Sequence, residues 1–328
     1  MQRLKWSTKP NEISTDPAAR FMKVPSFGSL EHADCALCGD PHWLTVTRQH
    51  VFGEDFRVVR CSGCGLIRTN PRPDAEWKER FYDPQYNGYL ESQSRHFLYA
   101  PEPSRVRGYH RLLAFLQPRT PPRASLLDVG CAAGLFVREA VDRGFDATGC
   151  DYSEAAIAYG KEHFGVKIIR SIAELIDAPD NQYDVVTILH VIEHLPDPLK
   201  VLRELRRVLK PGGLLLLETV NYRAHYEIEK HLKFLIPIYG FLTHRKGLPW
   251  VPFDHLYHWS PQSLERAMEM AGFRHVRSHH LMGYRSEVKP NWGFALVYNV
   301  CDLVGLALMT ATGGRWQLWP VLLATGQK

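Results

Sequence analysis

From Ser125 onward the chain alternates apolar runs with amphipathic ones, and this rhythm constrains the fold more than any other feature. The order is SLLDVG then LFVREAVDRG, FDATGCD then SEAAIAYGKEHFG, VKIIR, YDVVTIL then DPLKVLRELRRVLKPGG, and LLLLETV. Strands and helices that take turns at this spacing need crossover connections, so the sheet is parallel with helices on both faces. The fold class is therefore α/β, a doubly wound Rossmann-like sheet of about seven strands. In the stretch after Asp197, Leu199, Leu202, Leu205 and Leu209 recur at helical steps, while Arg203, Arg206, Arg207 and Lys210 fall on the wet face. Pro198 opens that helix and Gly212 follows its end. Further on, SPQSLERAMEMAGF reads as a helix capped by Ser260, and FRHVRS and WPVLLATG read as strands.

The front of the chain is different. Residues 1–30 carry Pro10, Pro17 and Pro25 without a period and read as an extended arm. Residues 31–72 hold Cys35 with Cys38 and Cys61 with Cys64, bracketing the strand-like runs WLTVT and DFRVVR. Four thiolates in two Cys-x-x-Cys pairs can close a tetrahedral structural Zn2+ site, so this segment is expected to be a small zinc ribbon. A closed site of this kind leaves no open position for catalysis. Residues 73–124 read as a helical connector ending in QPRTPPR, and residues 125–328 as the main domain, with an aromatic and histidine-rich lid inserted at 222–259.

Charge excludes little. The 40 Lys and Arg against 35 Asp and Glu give +5, and residues 1–124 hold 18 basic and 13 acidic side chains, which falls short of a nucleic-acid footprint. The odd count of seven cysteines, four of them paired at metal-ligand spacing, fits a reducing compartment. The basic start MQRLKWSTKP is not followed by an apolar stretch. The expectation is a cytoplasmic protein. The apolar run at 294–312 is interrupted by Asn299 and Asp302, and a peripheral membrane contact there stays open as a secondary reading. Nothing in the sequence fixes the oligomeric state.

The chemistry concentrates at two strand ends. Asp128-Val-Gly130-Cys131-Ala132-Ala-Gly134 closes the first strand with a side-chain-poor turn, where a ligand can lie against bare backbone. A dinucleotide fingerprint would want glycine where Ala132 and Leu135 stand, so pyrophosphate is disfavoured, and the acid before the turn suits a ligand with positive charge. Asp151 ends the second strand, where a ribose diol is gripped.

LLDVGCAAG, GCDYS, YDVVTILHVIEHL, LKPGG and HWSPQSLERAMEMAGF, in that order, resemble the class I S-adenosylmethionine-dependent methyltransferases, particularly the branch similar to ubiquinone-type enzymes. The likeness covers roughly residues 104–328, and the front resembles the zinc ribbon of some methyltransferases acting on sugars and natural products. It implies that Asp128, Gly130, Cys131, Ala132 and Gly134 underlie the methionine part of S-adenosylmethionine. Asp151 would hold the ribose and Tyr152 flank the adenine. Ala173 and Glu174 would lie at the adenine edge, and His190 beside the cofactor. Ala132, in place of the commoner glycine, is expected to tighten the turn.

HVIEHL, from His190 to Leu195, also matches a metallopeptidase pattern, but Pro196 and Pro198 leave no room for the helix that pattern requires. The segment is expected instead to close the acceptor side, with weak divalent-metal binding by Glu193 and His194 as a minor option. His190, His194, His255 and His258 are the candidate proton acceptors, and Asp254 either orients His255 or caps a turn. Arg105, Arg107, Arg111, Arg119 and Arg123 are either a wet helix face or a grip on an anionic acceptor. Trp250, Phe253, Tyr257 and Trp259 either pack a core or stack on the acceptor ring. The expected activity is O- or C-methylation of a small-molecule acceptor, a sugar, quinone-like ring or natural-product intermediate. Two other readings stand beside it: an RNA methyltransferase gripping its substrate with the ribbon, and a non-enzymatic ribbon protein on a vestigial cofactor fold.

Overall fold

The computed structural model describes residues 30–51, 54–73, 101–222, 255–279, 281, 303–307, 310–312 and 321–328. Nearly all of the arm, the front of the connector and most of the lid lie outside the described residues, as do Trp250, Phe253, Asp254 and much of 294–312.

Five strands come first: β1 (Leu30–Glu31), β2 (Trp43–Val51), β3 (Glu54–Cys61), β4 (Ile67–Thr69) and β5 (Arg72–Pro73). There follow α1 (Pro103–Leu116), β6 (Ser125–Val129), α2 (Leu135–Asp142), β7 (Asp146–Asp151), α3 (Glu154–Phe164), β8 (Ile168–Arg170) and β9 (Tyr183–Leu189). The chain continues through α4 (Pro198–Val208), β10 (Leu209–Val220), β11 (Tyr257–His258), α5 (Pro261–Met270), β12 (Arg274–His279) and β13 (Val321–Gln327).

The main sheet has seven strands in the order β12-β13-β10-β9-β6-β7-β8. From β10 to β8 every pair is parallel, while β13 runs antiparallel to both β10 and β12. The chain leaves β6 toward β7 and β8, then returns to add β9 on the other side, which puts the topological switch point between β6 and β9.

Side chains alternate across the sheet as the period of two requires. Leu126, Val185 and Leu216 share a core with Leu112 and Leu116 of α1 and Phe136 and Val137 of α2. Their neighbours Leu127, Val186 and Leu217 share the opposite core with Leu202 and Leu205 of α4 and Leu264 and Met268 of α5. Each fully buried leucine contributes roughly 1.5–3 kcal/mol, so a slip of one residue would cost the whole set. The helix α1 thus belongs to one covering layer of the sheet, although its sequence reads as connector.

Helix α4 is shorter than the leucine spacing predicts. Asp197 caps it, accepting from Lys200 N at 3.0 Å, but it ends at Val208. Leu209 is extended (φ −69°, ψ 141°) and pairs with Tyr183 of β9. Pro211 explains the difference, since the helix cannot run into a proline without losing a bond and clashing one turn back.

The front half does not stand apart. Strands β2, β3 and β4 form an antiparallel sheet whose fourth strand is β11, contributed by the last residues of the 222–259 insertion, with Tyr257 opposite Arg68 and His258 opposite Ile67. Cys35, Leu37, Cys61 and Leu66 lie in the same core as Leu256, Tyr257 and Trp259. Tyr257 and Trp259 are fully buried there, so the structure gives them core packing rather than contact with an acceptor ring. Of the five arginines before β6, Arg105 is buried and the other four are exposed. Arg119 lies over the Phe115 ring and donates to Phe115 O at 2.7 Å. No helix among the described residues is long and apolar enough to cross a membrane.

Candidate functional site

At the end of β6 the chain folds back under its own neighbour. Gly130 N and Cys131 N both donate to Cys150 O, at 2.8 and 3.1 Å. Gly130 has φ +72°, and a Cβ there would stand 2.4 Å from Val191 Cγ2. Gly134 has φ +77°, and its Cβ would meet Val166 Cγ2 at 2.8 Å. Both positions therefore need glycine, for conformation and for space. Ala132 sits at φ +49°, so its methyl loads the turn with left-handed strain instead of merely tightening it. What holds it is Asp151, whose Oδ2 accepts from Ala132 N at 2.8 Å while Oδ1 accepts from Ser153 N at 2.9 Å. Cys131 contributes backbone to this turn, and burial pushes its thiol well up, out of reactive range.

Asp151 thus ties the turn after β6 to the turn after β7, with lone pairs left over for a ribose diol. Tyr152, beside it, is 44% exposed. Ser171 N donates to Asp151 O at 3.0 Å, which brings the segment with Ala173 and Glu174 alongside. Asp128 lies beneath, buried, accepting from Thr187 Oγ1 at 2.6 Å. Burial pushes its carboxyl up to about 7, against the Thr187 bond and with help from the Asp151 charge. Burial raises Asp151 as well, against its bonds from backbone N–H groups. Two acids held short of cations, around a bend that a Cβ would fill, fit a nucleoside whose amino-acid end carries positive charge.

The second group of residues begins one side chain away, across Val191. His190 follows the end of β9 at φ +55°, a strained conformation for a residue with a Cβ. Its N donates to Glu218 O at 2.9 Å, and its Nε2 lies 2.6 Å from Glu218 Oε1. Ile192–His194 form a single 3-10 turn, so HVIEHL makes no metallopeptidase helix. Glu193 is 1% exposed, and His190 Nδ1 approaches its Oε1 at 3.5 Å, an electrostatic contact longer than a good hydrogen bond. Burial works to raise the Glu193 carboxyl, but His190 and the imidazoles of His194 and His255 outweigh it and hold it at about 2. One ligand atom from each of Glu193, His194 and His255 lies within 4.8 Å of the others. The His194 and His255 rings meet edge to face at 4.6 Å. Burial, and then His194, pushes the His255 imidazole well below its ordinary range.

His258 does not join them. It is buried, its Nε2 lies 3.1 Å from Thr69 Oγ1, and burial lowers it to about 3, which suits a packed neutral ring and not a proton acceptor for a bound substrate. Sequence reading missed Thr187 and Glu218. An acid inside LLLLETV was the available signal, because such residues are rarely buried without a partner.

The four ribbon sulfurs gather within 4.8 Å of one another, with Cys35 Sγ 3.4 Å from Cys64 Sγ and Cys38 Sγ 3.5 Å from Cys61 Sγ. Thiolates sharing a tetrahedral zinc at about 2.3 Å stand about 3.8 Å apart, so the donor set fits. Arg68 is buried between the rings of Trp43 and Tyr257, at 5.6 and 5.4 Å, and donates to the carbonyls of Thr69 and Asp34. A buried guanidinium beside Cys35 favours a site whose net charge is negative, as four thiolates on one zinc would be.

A glycine turn at the switch point, an acid before it and an acid ending the next strand define a nucleoside-binding α/β protein of the doubly wound class. Residues 100–278, more than half of the chain, match the methyltransferase domain family, and the chain belongs to that family. It is an S-adenosylmethionine-dependent methyltransferase, which sets aside the vestigial-fold reading. A demethylmenaquinone methyltransferase of Staphylococcus aureus is 33% identical over 172 residues, 48% of this chain and 70% of the relative. Among solved structures, a SAM-dependent methyltransferase from Archaeoglobus fulgidus is 20% identical, with a TM-score of 0.46 over 73% of this chain and all of that one. Another from Aquifex aeolicus is 17% identical, with a TM-score of 0.41 over 69% of this chain and 93% of that one.

Proposed function

We propose that the chain methylates an oxygen or carbon of a small aromatic or quinone-like acceptor, bound where the His190–His194 turn meets His255. The observation that carries this reading is adjacency. Val191 fills the space left by the missing side chain of Gly130, so the methionine end of the cofactor turn and the imidazole cluster are in van der Waals succession. The demethylmenaquinone methyltransferase relative supports the acceptor class.

In this assignment Asp128 faces the amino-acid end of S-adenosylmethionine, while Gly130, Cys131, Ala132 and Gly134 line its methionine arm. Asp151 holds the ribose, and Tyr152, Ala173 and Glu174 border the adenine. When bound, the cofactor supplies an electrophilic methyl on a sulfonium. The chain's part is alignment and proton removal. A histidine of the cluster, His190, His194 or His255, takes the proton from the acceptor. The acceptor atom forms its bond to the methyl carbon as the carbon–sulfur bond breaks, leaving S-adenosylhomocysteine and a methylated product. Cys35, Cys38, Cys61 and Cys64 hold a structural Zn2+, and the ribbon serves as the frame of the acceptor side.

The test is transfer of a labelled methyl from S-adenosylmethionine to a panel of hydroquinones, catechols and sugar nucleotides, with total RNA as a separate arm. Label in a small aromatic or quinol, and none in RNA, is the expected result. Label in RNA alone would replace this reading with that of a nucleic-acid methyltransferase.

A further inference from the structure

Glu193 is the least explained group in the molecule. It is fully buried, and among the described residues neither of its oxygens accepts a hydrogen bond. A buried carboxylate with no short hydrogen bond is suited to ligate a cation. The groups around it are of the kind that bind one: His194 Nδ1 or Nε2 and the same atoms of His255 converge with a Glu193 oxygen. We infer that Glu193, His194 and His255 form a second metal site, separate from the four cysteines, for a divalent transition-metal ion held by one carboxylate and two imidazoles.

The geometry is close to a bound state. Atoms sharing an ion at roughly 2.1 Å stand about 3.4 Å apart in a tetrahedral arrangement, so a trio within 4.8 Å needs to draw in by at most about 1.4 Å. The backbone that carries it is stitched from three parts of the chain. Leu256 N donates to Glu193 O at 2.8 Å, Thr69 N donates to Leu256 O at 3.0 Å, and Thr69 Oγ1 donates to His255 O at 3.0 Å. The strand β4 therefore fixes the His255 half of the site, and Leu256 links that half to Glu193. Three protein ligands leave at least one coordination position open, as in sites that act on substrates.

The open position would take an oxygen of the acceptor and lower its pKa, which favours hydroxyl over carbon methylation. His190, held by Glu218 and standing outside the ligand set, remains as the proton acceptor. This job for the ion rests on the acceptor-side reading proposed above; the site itself does not.

The test uses the full chain, dialysed against EDTA under conditions that leave the ribbon zinc in place, and titrated with Mn2+ while metal content and electron spin resonance are followed. One Mn2+ beyond the single zinc, with nitrogen modulation from imidazole in the spin-echo signal, is the expected result. Outer-shell changes alone cost on the order of 10- to 100-fold in metal affinity, so Glu193→Gln and His255→Ala should each weaken Mn2+ by more than that and keep the zinc and the affinity for S-adenosylmethionine. No Mn2+ uptake by the unmodified protein, or a signal without nitrogen coupling, would overturn the site whatever the variants do. Full methyl transfer with no second metal bound would overturn the job given to the ion but leave the methyltransferase reading standing. Mn2+ bound without methyl transfer to any small acceptor would uphold the site and count against that reading.

Discussion

Asp128 shows how one buried acid sets both stability and ligand charge. Its carboxyl titrates near 7 in the folded protein, against about 4 in an unfolded chain, so the folded state holds the proton more tightly. The sign follows: stability is greatest below about pH 4, falls as pH rises toward 7, and levels off above that, a loss of about 4 kcal/mol in the absence of ligand. Asp128→Asn keeps an acceptor for Thr187 and removes the charge. The variant without cofactor should melt roughly 2–4 °C higher than the parent at pH 5, and roughly 5–10 °C higher at pH 8. Calorimetric scans at the two pH values check this, and a gap of equal size at both would refute it. The variant should also bind S-adenosylmethionine more weakly at pH 8, since it trades stability for the loss of a cation's partner.

At the scale of elements, α3 is packed so closely on the glycine turn that Gly160 has no room for a side chain. A Cβ there would stand 2.4 Å from Ala133 O, a backbone atom that cannot swing away. Gly160→Ala should therefore destabilise by about 1–3 kcal/mol despite the better helix propensity of alanine, and should raise the Kd for S-adenosylmethionine. A variant as stable as the parent by denaturant titration would show that the turn yields. The seven-stranded sheet was legible because period-two and period-3.6 patterns are local, and the glycine turn because Asp128, Gly130 and Gly134 are contiguous. Three things were not local. Leu209 continues the helical spacing of α4, and only the downstream Pro211 and pairing with Tyr183 turn it into strand. Strand β11 is two residues long, too short to carry a period, and its partner Arg68 lies far away in sequence. His255 joins Glu193 through tertiary packing alone, so HVIEHL exposed half of that cluster and hid the rest.

For the whole molecule, the consequence is that the sheet carrying the four cysteines would be structural to the proposed acceptor site. That sheet takes β11 as a strand, and Thr69 bonds to the carbonyls of His255 and Leu256 and to the ring of His258. If the four cysteines hold zinc as proposed, stripping it with a strong chelator, or the substitution Cys64→Ser, should lower the melting temperature and raise the acceptor KM or abolish turnover. Affinity for S-adenosylmethionine, whose proposed seat is at the carboxyl ends of β6 and β7, should change by less than about threefold, under 1 kcal/mol. Equal losses at both sites would mean that the ribbon supports the whole fold and not the acceptor side. Everything here depends on the turn between β6 and α2, tied down by Asp151, being the seat of S-adenosylmethionine. The most direct test is the equilibrium affinity of Asp151→Asn for that ligand by isothermal titration calorimetry. Loss of charge-assisted bonds to the ribose should weaken binding by about 10- to 100-fold, with the fold intact by circular dichroism. Affinity equal to that of the parent would contradict the account.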